Sequence, residues 1–161
     1  MVEFVIMEKE KSTTYVLDPI DLRIVSLLQK DGKMNYKQVA DAVGLSTTPT
    51  FERIRRLERN GVILGYSARI SKHYLGKQLQ VFCQVTLQSH ALDVLNAFEP
   101  AIVLLDEVSA CYHVAGSIDY LLHIEVASMD EYQDFIKNQL TKIPHIAHVQ
   151  SNFVMTAIKT Y

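Results

Sequence analysis

The chain has 161 residues, 48% hydrophobic and 21% charged, with a formal net charge of −2 at pH 7. That length holds one large domain or two small ones, and the composition excludes a disordered, fibrous or disulfide-stapled chain. No apolar run approaches the roughly 20 residues that a membrane helix needs. Glu3, Glu8 and Glu10 interrupt the amino terminus, which fails as a secretory signal and reads as a loose tail over residues 1–16 of a cytoplasmic protein.

Charge is distributed unevenly. Residues 1–79 carry 13 Lys/Arg against 9 Asp/Glu, a balance of +4, whereas residues 80–161 carry 3 against 9, a balance of −6. A basic half joined to an acidic half points to an anion-binding module coupled to something else.

The first half has helical periodicity. In "LDPIDLRIVSLLQKDG", Ile20, Ile24, Leu27 and Leu28 line one face, with Asp18 placed to cap the helix and Pro19 in its first position. In "MNYKQVADAVG", Asn35 and Gln38 form a capping pair, and Tyr36, Val39, Ala40 and Val43 point inward. Gly44 suits the left-handed residue that stops this helix, and Ser46 can cap the next at once. The third helix buries Phe51, Ile54 and Leu57 and tolerates Pro49 in its first turn. Three helices with a tight Gly-Leu-Ser turn before the last form a helix-turn-helix over residues 17–64. "VILGYSARIS" then alternates like a strand, fit for a wing or for a linker strand over residues 65–78.

The second half, residues 79–161, changes period from 3.6 to 2. "LQVFCQVTLQ" is a half-buried strand, and "ALDVLNAFEPAIVLL" a helix that Pro100 kinks or shortens. Two strands flank "GSID", the Ser128–Glu131 capping box opens a helix that Pro144 stops, and "IAHVQSNFVMTAI" closes the chain as a strand. The order β-α-β-β-α-β is the ferredoxin-like arrangement, so the predicted class is α+β with an amino-terminal winged helix-turn-helix. Cys83 and Cys111 both read as buried free thiols.

With Phe51, Ile54 and Leu57 inward, the opposite face of the third helix carries Thr48, Pro49, Glu52, Arg53 and Arg56. Two outward arginines can fork onto guanine edges or neutralise phosphates, and Ser46, Thr47 and Thr48 offer hydroxyls and N–H groups to a phosphate. Arg55 and Arg59 fall to flanking roles. On its own, "ERIRRLER" is equally a salt-bridge-laced helix face; its place after a helix, a Gly turn and a Ser cap favours DNA. Five of six histidines lie in the acidic half without a tight metal-ligand spacing, so neither a metal nor a cofactor is expected. No phosphate loop or nucleophile elbow appears, and the third strand lacks the stacking signature of an RNA-binding sheet. The chain is not expected to be an enzyme. In the turn Gly116–Tyr120, Asp119 suits a hairpin, and it can equally receive the amino group of a small zwitterion while backbone N–H groups take its carboxylate.

"LDPIDLRIVSLLQKDG", "VADAVGLSTTPTFERIRRLERNGVILGY" and "VAGSIDYLL" together resemble the Lrp/AsnC, or feast/famine, family of transcription regulators from Leu17 onward. The resemblance implies a DNA-binding helix-turn-helix, a carboxy-terminal effector domain, dimers formed through its sheets, and assembly up to octamers. It implies double-stranded DNA as partner, with Tyr36, Ser46, Thr47, Thr48, Pro49, Arg53, Arg55 and Arg56 as candidate contacts. It also implies a small amino-acid effector bound between dimers, near Gly116, Ser117, Asp119 and Tyr120, with Ser151. Ser117 stands where many members carry an acidic residue, and "PHIAH" replaces a more usual Pro-Gly turn. The alternative is a sensor or metabolic protein that does not bind DNA, whose arginine helix would be hidden in an assembly contact.

Overall fold

The computed structural model describes residues 15–159, which fall into two compact units dividing between Arg69 and Ile70. The first unit holds three helices, α1 (Pro19–Lys30), α2 (Tyr36–Val43) and α3 (Thr47–Arg59). Their ends follow local rules. The Asp18 carboxylate accepts from the Asp21 N–H at 2.8 Å, with Pro19 at the first helical position. Asn35 and Gln38 cap α2 reciprocally at 2.9 and 2.8 Å. Gly44 ends α2 at φ 75°, a conformation that a side chain would strain. Ser46 occupies the N-cap of α3 without a side-chain bond; its carbonyl instead accepts from the Thr50 hydroxyl at 2.9 Å.

Ile24, Leu28, Val39, Ile54 and Leu57 form the core of this unit. The buried stripe of α3 is Thr50, Ile54 and Leu57, not the expected Phe51, Ile54 and Leu57. Spacing of i, i+4, i+7 keeps three residues within a narrow arc, whereas i, i+3, i+6 drifts around the helix. Phe51 is therefore only half-buried, edge-on to Tyr36 at 5.0 Å. Tyr15, assigned to the tail, packs against this core, which shifts the boundary of the unit; residues 1–14 lie outside the described residues. No strand forms between residues 64 and 78, so the linker strand is corrected. Its alternating pattern finds no partner among the described strands, and Leu64, Ile70 and Tyr74 stay exposed.

The second unit contains β1 (Leu79–Leu87), α4 (Leu92–Val103), β2 (Val108–His113), β3 (Tyr120–Val126), α5 (Met129–Asn138) and β4 (Ile146–Phe153). The antiparallel sheet has the order β2-β3-β1-β4, with Leu79 opposite Val126 and Val85 opposite both Tyr120 and Val149. Val81, Cys83 and Val85 of β1 and Leu122 and Ile124 of β3 pack on Phe98 and Ile102 of α4 and on Tyr132 and Phe135 of α5. The alternate residues Phe82, Gln84, Leu121 and His123 form the other face of the sheet, where Phe82 and His123 stack at 4.8 Å.

Pro100 does not shorten α4, which continues to Val103. Asn96, whose carbonyl loses its usual N–H donor to the proline, is exposed, so water can satisfy it. α5 stops earlier than expected, and Leu140–Lys142 form a separate 3-10 turn. Cys83 is buried as expected, but Cys111 is exposed. It shares the face of Leu122 and Cys83, yet lies on the edge strand β2, where the sheet supplies a neighbour on one side only.

Candidate nucleic-acid interface and ligand cavity

The rotation of α3 changes where its arginines lie. Arg53 donates to Asp18 Oδ2 at 2.5 Å and to Asp21 Oδ1 at 2.7 Å, and Arg56 donates to Asp21 Oδ2 at 3.1 Å. Their side chains are 24% and 40% exposed, while Asp21 is 1% exposed. The Tyr15 hydroxyl completes the cluster at 2.9 Å from Asp21 Oδ2, and Arg56 lies over the Tyr15 ring at 5.3 Å. The expectation that Arg53 and Arg56 alone face a groove is thus corrected: acidic partners more than 30 residues upstream draw both back toward α1.

The exposed residues of α3 are Thr47, Thr48, Pro49, Glu52, Arg55, Glu58 and Arg59. Thr48, Glu52, Arg55 and Arg59 follow one another at helical spacing along one exposed face. The Arg55 guanidinium lies over Phe51 at 5.5 Å, and the exposed Tyr36 abuts that ring, so an aromatic pair supports the forward arginine. Ser46 is exposed at the start of the helix.

In the second unit, a cavity of about 220 Å³ is lined by His90, Leu95, His113, Gly116, Ile118 and Asp119, with Val114 and Ala115. Asp119 is only 8% exposed. Its Oδ2 accepts from the Leu87 N–H at 2.7 Å, and its Oδ1 lies 2.6 Å from His90 Nε2. Its own N–H donates to the Val85 carbonyl at 3.0 Å and its carbonyl accepts from Val114, so the turn is tied to the end of β1. Gly116 adopts φ 155° at the rim. His113 stacks on Tyr120 at 4.7 Å, and Tyr120 packs on Phe98 at 4.6 Å.

Of the five expected effector residues, Gly116 and Asp119 line this cavity. Ser117 is exposed beside it without lining it. Tyr120 and Ser151 do not line it. Tyr120 is buried, with its hydroxyl on Glu99 at 2.7 Å, and Ser151 bonds Tyr132 across from Cys83. Strand alternation turns Tyr120 into the core and places Ser151 under α5. His90 was missed by the sequence reading, although pairing of β1 with β3 implies its nearness to Asp119.

Hydrogen bonds hold three carboxyls below their usual range. For Asp119 the Leu87 N–H acts most strongly, assisted by His90. For Asp18 the Asp21 N–H leads, followed by Arg53. For Asp21, burial is the largest single influence and opposes ionisation, but Arg53, Tyr15 and the Asp18 N–H together outweigh it. Groups of this kind contribute stability above the unfolded carboxyl value of 3.8 and lose it as pH falls through their lower folded values. Thermal melting is therefore expected to be flat in these terms from pH 7 to pH 5 and to fall steeply below about pH 4. A midpoint still unchanged at pH 2.5 would contradict the ion-pair assignments.

No group of three or more metal-ligating side chains occurs among the described residues, and no described helix is long and apolar enough to cross a membrane.

A helix-turn-helix with an exposed polar and basic face, together with a sheet domain holding a small, mostly apolar cavity that contains one carboxylate, defines a ligand-responsive DNA-binding regulator. Residues 17–63 match the family of winged helix-turn-helix DNA-binding domains, and residues 80–161 match the Lrp/AsnC ligand binding domain. The chain belongs to the Lrp/AsnC family of transcription regulators. It is 41% identical over 143 residues to the leucine-responsive regulatory protein of Escherichia coli (strain K12), covering 89% of this chain and 87% of that protein. Among solved structures, a Neisseria meningitidis transcriptional regulator in complex with L-Met superposes with a TM-score of 0.86 at 29% identity, covering 90% of this chain and 94% of that one. An AsnC family transcriptional regulator from Agrobacterium tumefaciens gives 0.84 at 33% identity, covering 89% and 94%.

Proposed function

We propose that α3 reads operator DNA through Thr48, Glu52 and Arg55, with Ser46, Thr47, Pro49, Arg59 and Tyr36 placed toward the flanking backbone. Arg53 and Arg56 then hold the helix rather than touch bases. The observation that carries this reading is the exposed Thr48–Glu52–Arg55–Arg59 face of α3. An arginine braced on an aromatic ring is well suited to forking onto a guanine edge. Two such helices from a dimer meet successive major grooves of a pseudo-palindromic site. The acidic second unit repels phosphate and serves assembly and sensing.

The cavity around Asp119 takes a small amino acid whose ammonium group is drawn to that carboxylate. The leucine-responsive name of one relative and the methionine bound by another support this ligand class. The sheet face carrying Phe82, Leu121 and Tyr112 pairs with its counterpart in a second copy, and dimers assemble further, to octamers. The protein acts in the cytoplasm and catalyses no reaction.

A gel shift on DNA upstream of the protein's own coding region tests the first reading. Arg55→Ala is expected to weaken binding by about 1–3 kcal/mol and to relax preference at one base position. Unchanged affinity and preference would remove Arg55 as a reader. A thermal-shift panel of the common amino acids tests the second reading, with at least one expected to raise the melting midpoint.

A further inference from the structure

We propose that His90 sets the affinity of the cavity for amino acids by acting as a resident competitor for Asp119, so that only ligands with enough apolar surface bind; this rests on the reading of the cavity as the amino-acid site. Asp119 is the only carboxylate among the lining residues, and both of its oxygens are already engaged. The two partners differ in kind. The Leu87 N–H is fixed backbone at the end of β1, where Asp119 also bonds Val85, and it cannot leave without opening the sheet. His90 precedes α4, its side chain is 76% exposed, and Asp119 is its one hydrogen-bond partner among the described residues. It can swing into water without moving the backbone, but only by giving up that hydrogen bond to the carboxylate.

An arriving α-ammonium group therefore exchanges one charge-assisted hydrogen bond for another at Asp119 Oδ1 and gains little there. Net affinity must come from the rest of the ligand. The cavity lining includes His113 and Gly116, and the apolar side chains of Leu95 and Ile118. Amino acids with an apolar side chain recover binding energy against Leu95 and Ile118, whereas glycine and alanine have too little surface to do so. The ionisable groups lining the cavity are His90, His113 and Asp119, and Glu99 of α4 is occupied by the Tyr120 hydroxyl, so no second carboxylate among the lining residues offers the ammonium group a place.

The test is isothermal titration of the full chain with L-leucine, L-methionine and 4-methylpentanoate, which is leucine without its ammonium group. In His90→Ala, at least one of the two amino acids is expected to bind about tenfold tighter than to the wild type, and 4-methylpentanoate to gain nothing. His90→Lys, which keeps a donor over Asp119, should show no such gain. Adding Asp119→Asn to His90→Ala should abolish the gain, with melting curves confirming that each variant folds. Amino-acid binding to the wild type without a gain in His90→Ala would overturn the role of His90 and leave the cavity reading intact. An equal gain for 4-methylpentanoate, or a gain that survives Asp119→Asn, would likewise overturn it. Failure of all three compounds to bind either protein would overturn the cavity reading and this inference together.

Discussion

Asp21→Ala is expected to lower the stability of the helical unit by about 3 kcal/mol, the cost of removing one partner from a buried ion pair. Asp21 is almost fully buried and receives Arg53, Arg56, the Tyr15 hydroxyl and the Asp18 N–H at once. Its loss leaves Arg53 with Asp18 alone and Arg56 with no carboxylate. Both guanidiniums retain some exposure and can rehydrate, which keeps the effect at the lower end of the range for such sites. The same change loosens the tie between the amino terminus of α1 and the middle of α3, so operator affinity should fall although Asp21 itself is buried. Asp21→Asn, which keeps an acceptor of the same shape, should restore part of the stability. Circular-dichroism melting of the full chain measures this; a loss below about 1 kcal/mol would mean that the cluster is ornamental.

Phe98→Ala is expected to cost about 3–5 kcal/mol, as for other large aromatic truncations in a packed core. Phe98 is fully buried and forms the inner end of a column in which Tyr120 and then His113 stack outward to the ligand cavity. Removing it deprives Tyr120 of its packing surface on one side. His113 then loses the fixed orientation with which it borders the cavity. Urea unfolding should show the lowered midpoint, and titration with the best-binding amino acid should show weaker affinity even where the chain remains folded. Phe98→Leu, which restores most of the volume, should recover stability more fully than binding, because it fills the core without offering a ring to stack on. Equal recovery of both would separate the column from the ligand site.

Features governed by a few consecutive residues were legible in the sequence. The Asp18 and Asn35 caps, the left-handed Gly44 and the β-α-β-β-α-β order follow from local chemistry and from periodicity. Features that depend on distant partners were not. The direction of Arg53 and Arg56 is decided by Asp18 and Asp21, and a small change in which residue of α3 faces inward decides between groove and helix. Cys111 alternates like a core residue, but its exposure is set by the position of β2 at the edge of the sheet. The alternation between residues 64 and 78 lacked a strand to pair with. At the cavity around Asp119, the lining by Asp119 and Gly116 follows from the turn that contains them, whereas His90 enters from a loop 29 residues away, and Tyr120 and Ser151 are turned elsewhere by strand alternation.

The pairing of Arg53 and Arg56 with carboxylates of their own chain also bears on how operator binding responds to ionic strength. A cation that already carries an internal counter-charge has no condensed ion to displace from the duplex, so it adds nothing to the entropy of counterion release. On α3 only Arg59, placed toward the backbone, remains to contribute, by about 0.9 in the slope of log affinity against log salt. On the proposed reading, recognition by this helix leans on shape and base edges more than on ion release, and its hold on a correct site should weaken less than its hold on random DNA as salt rises. Free salt becomes a proofreader: it strips the protein from the bulk of the genome while leaving it on its operators.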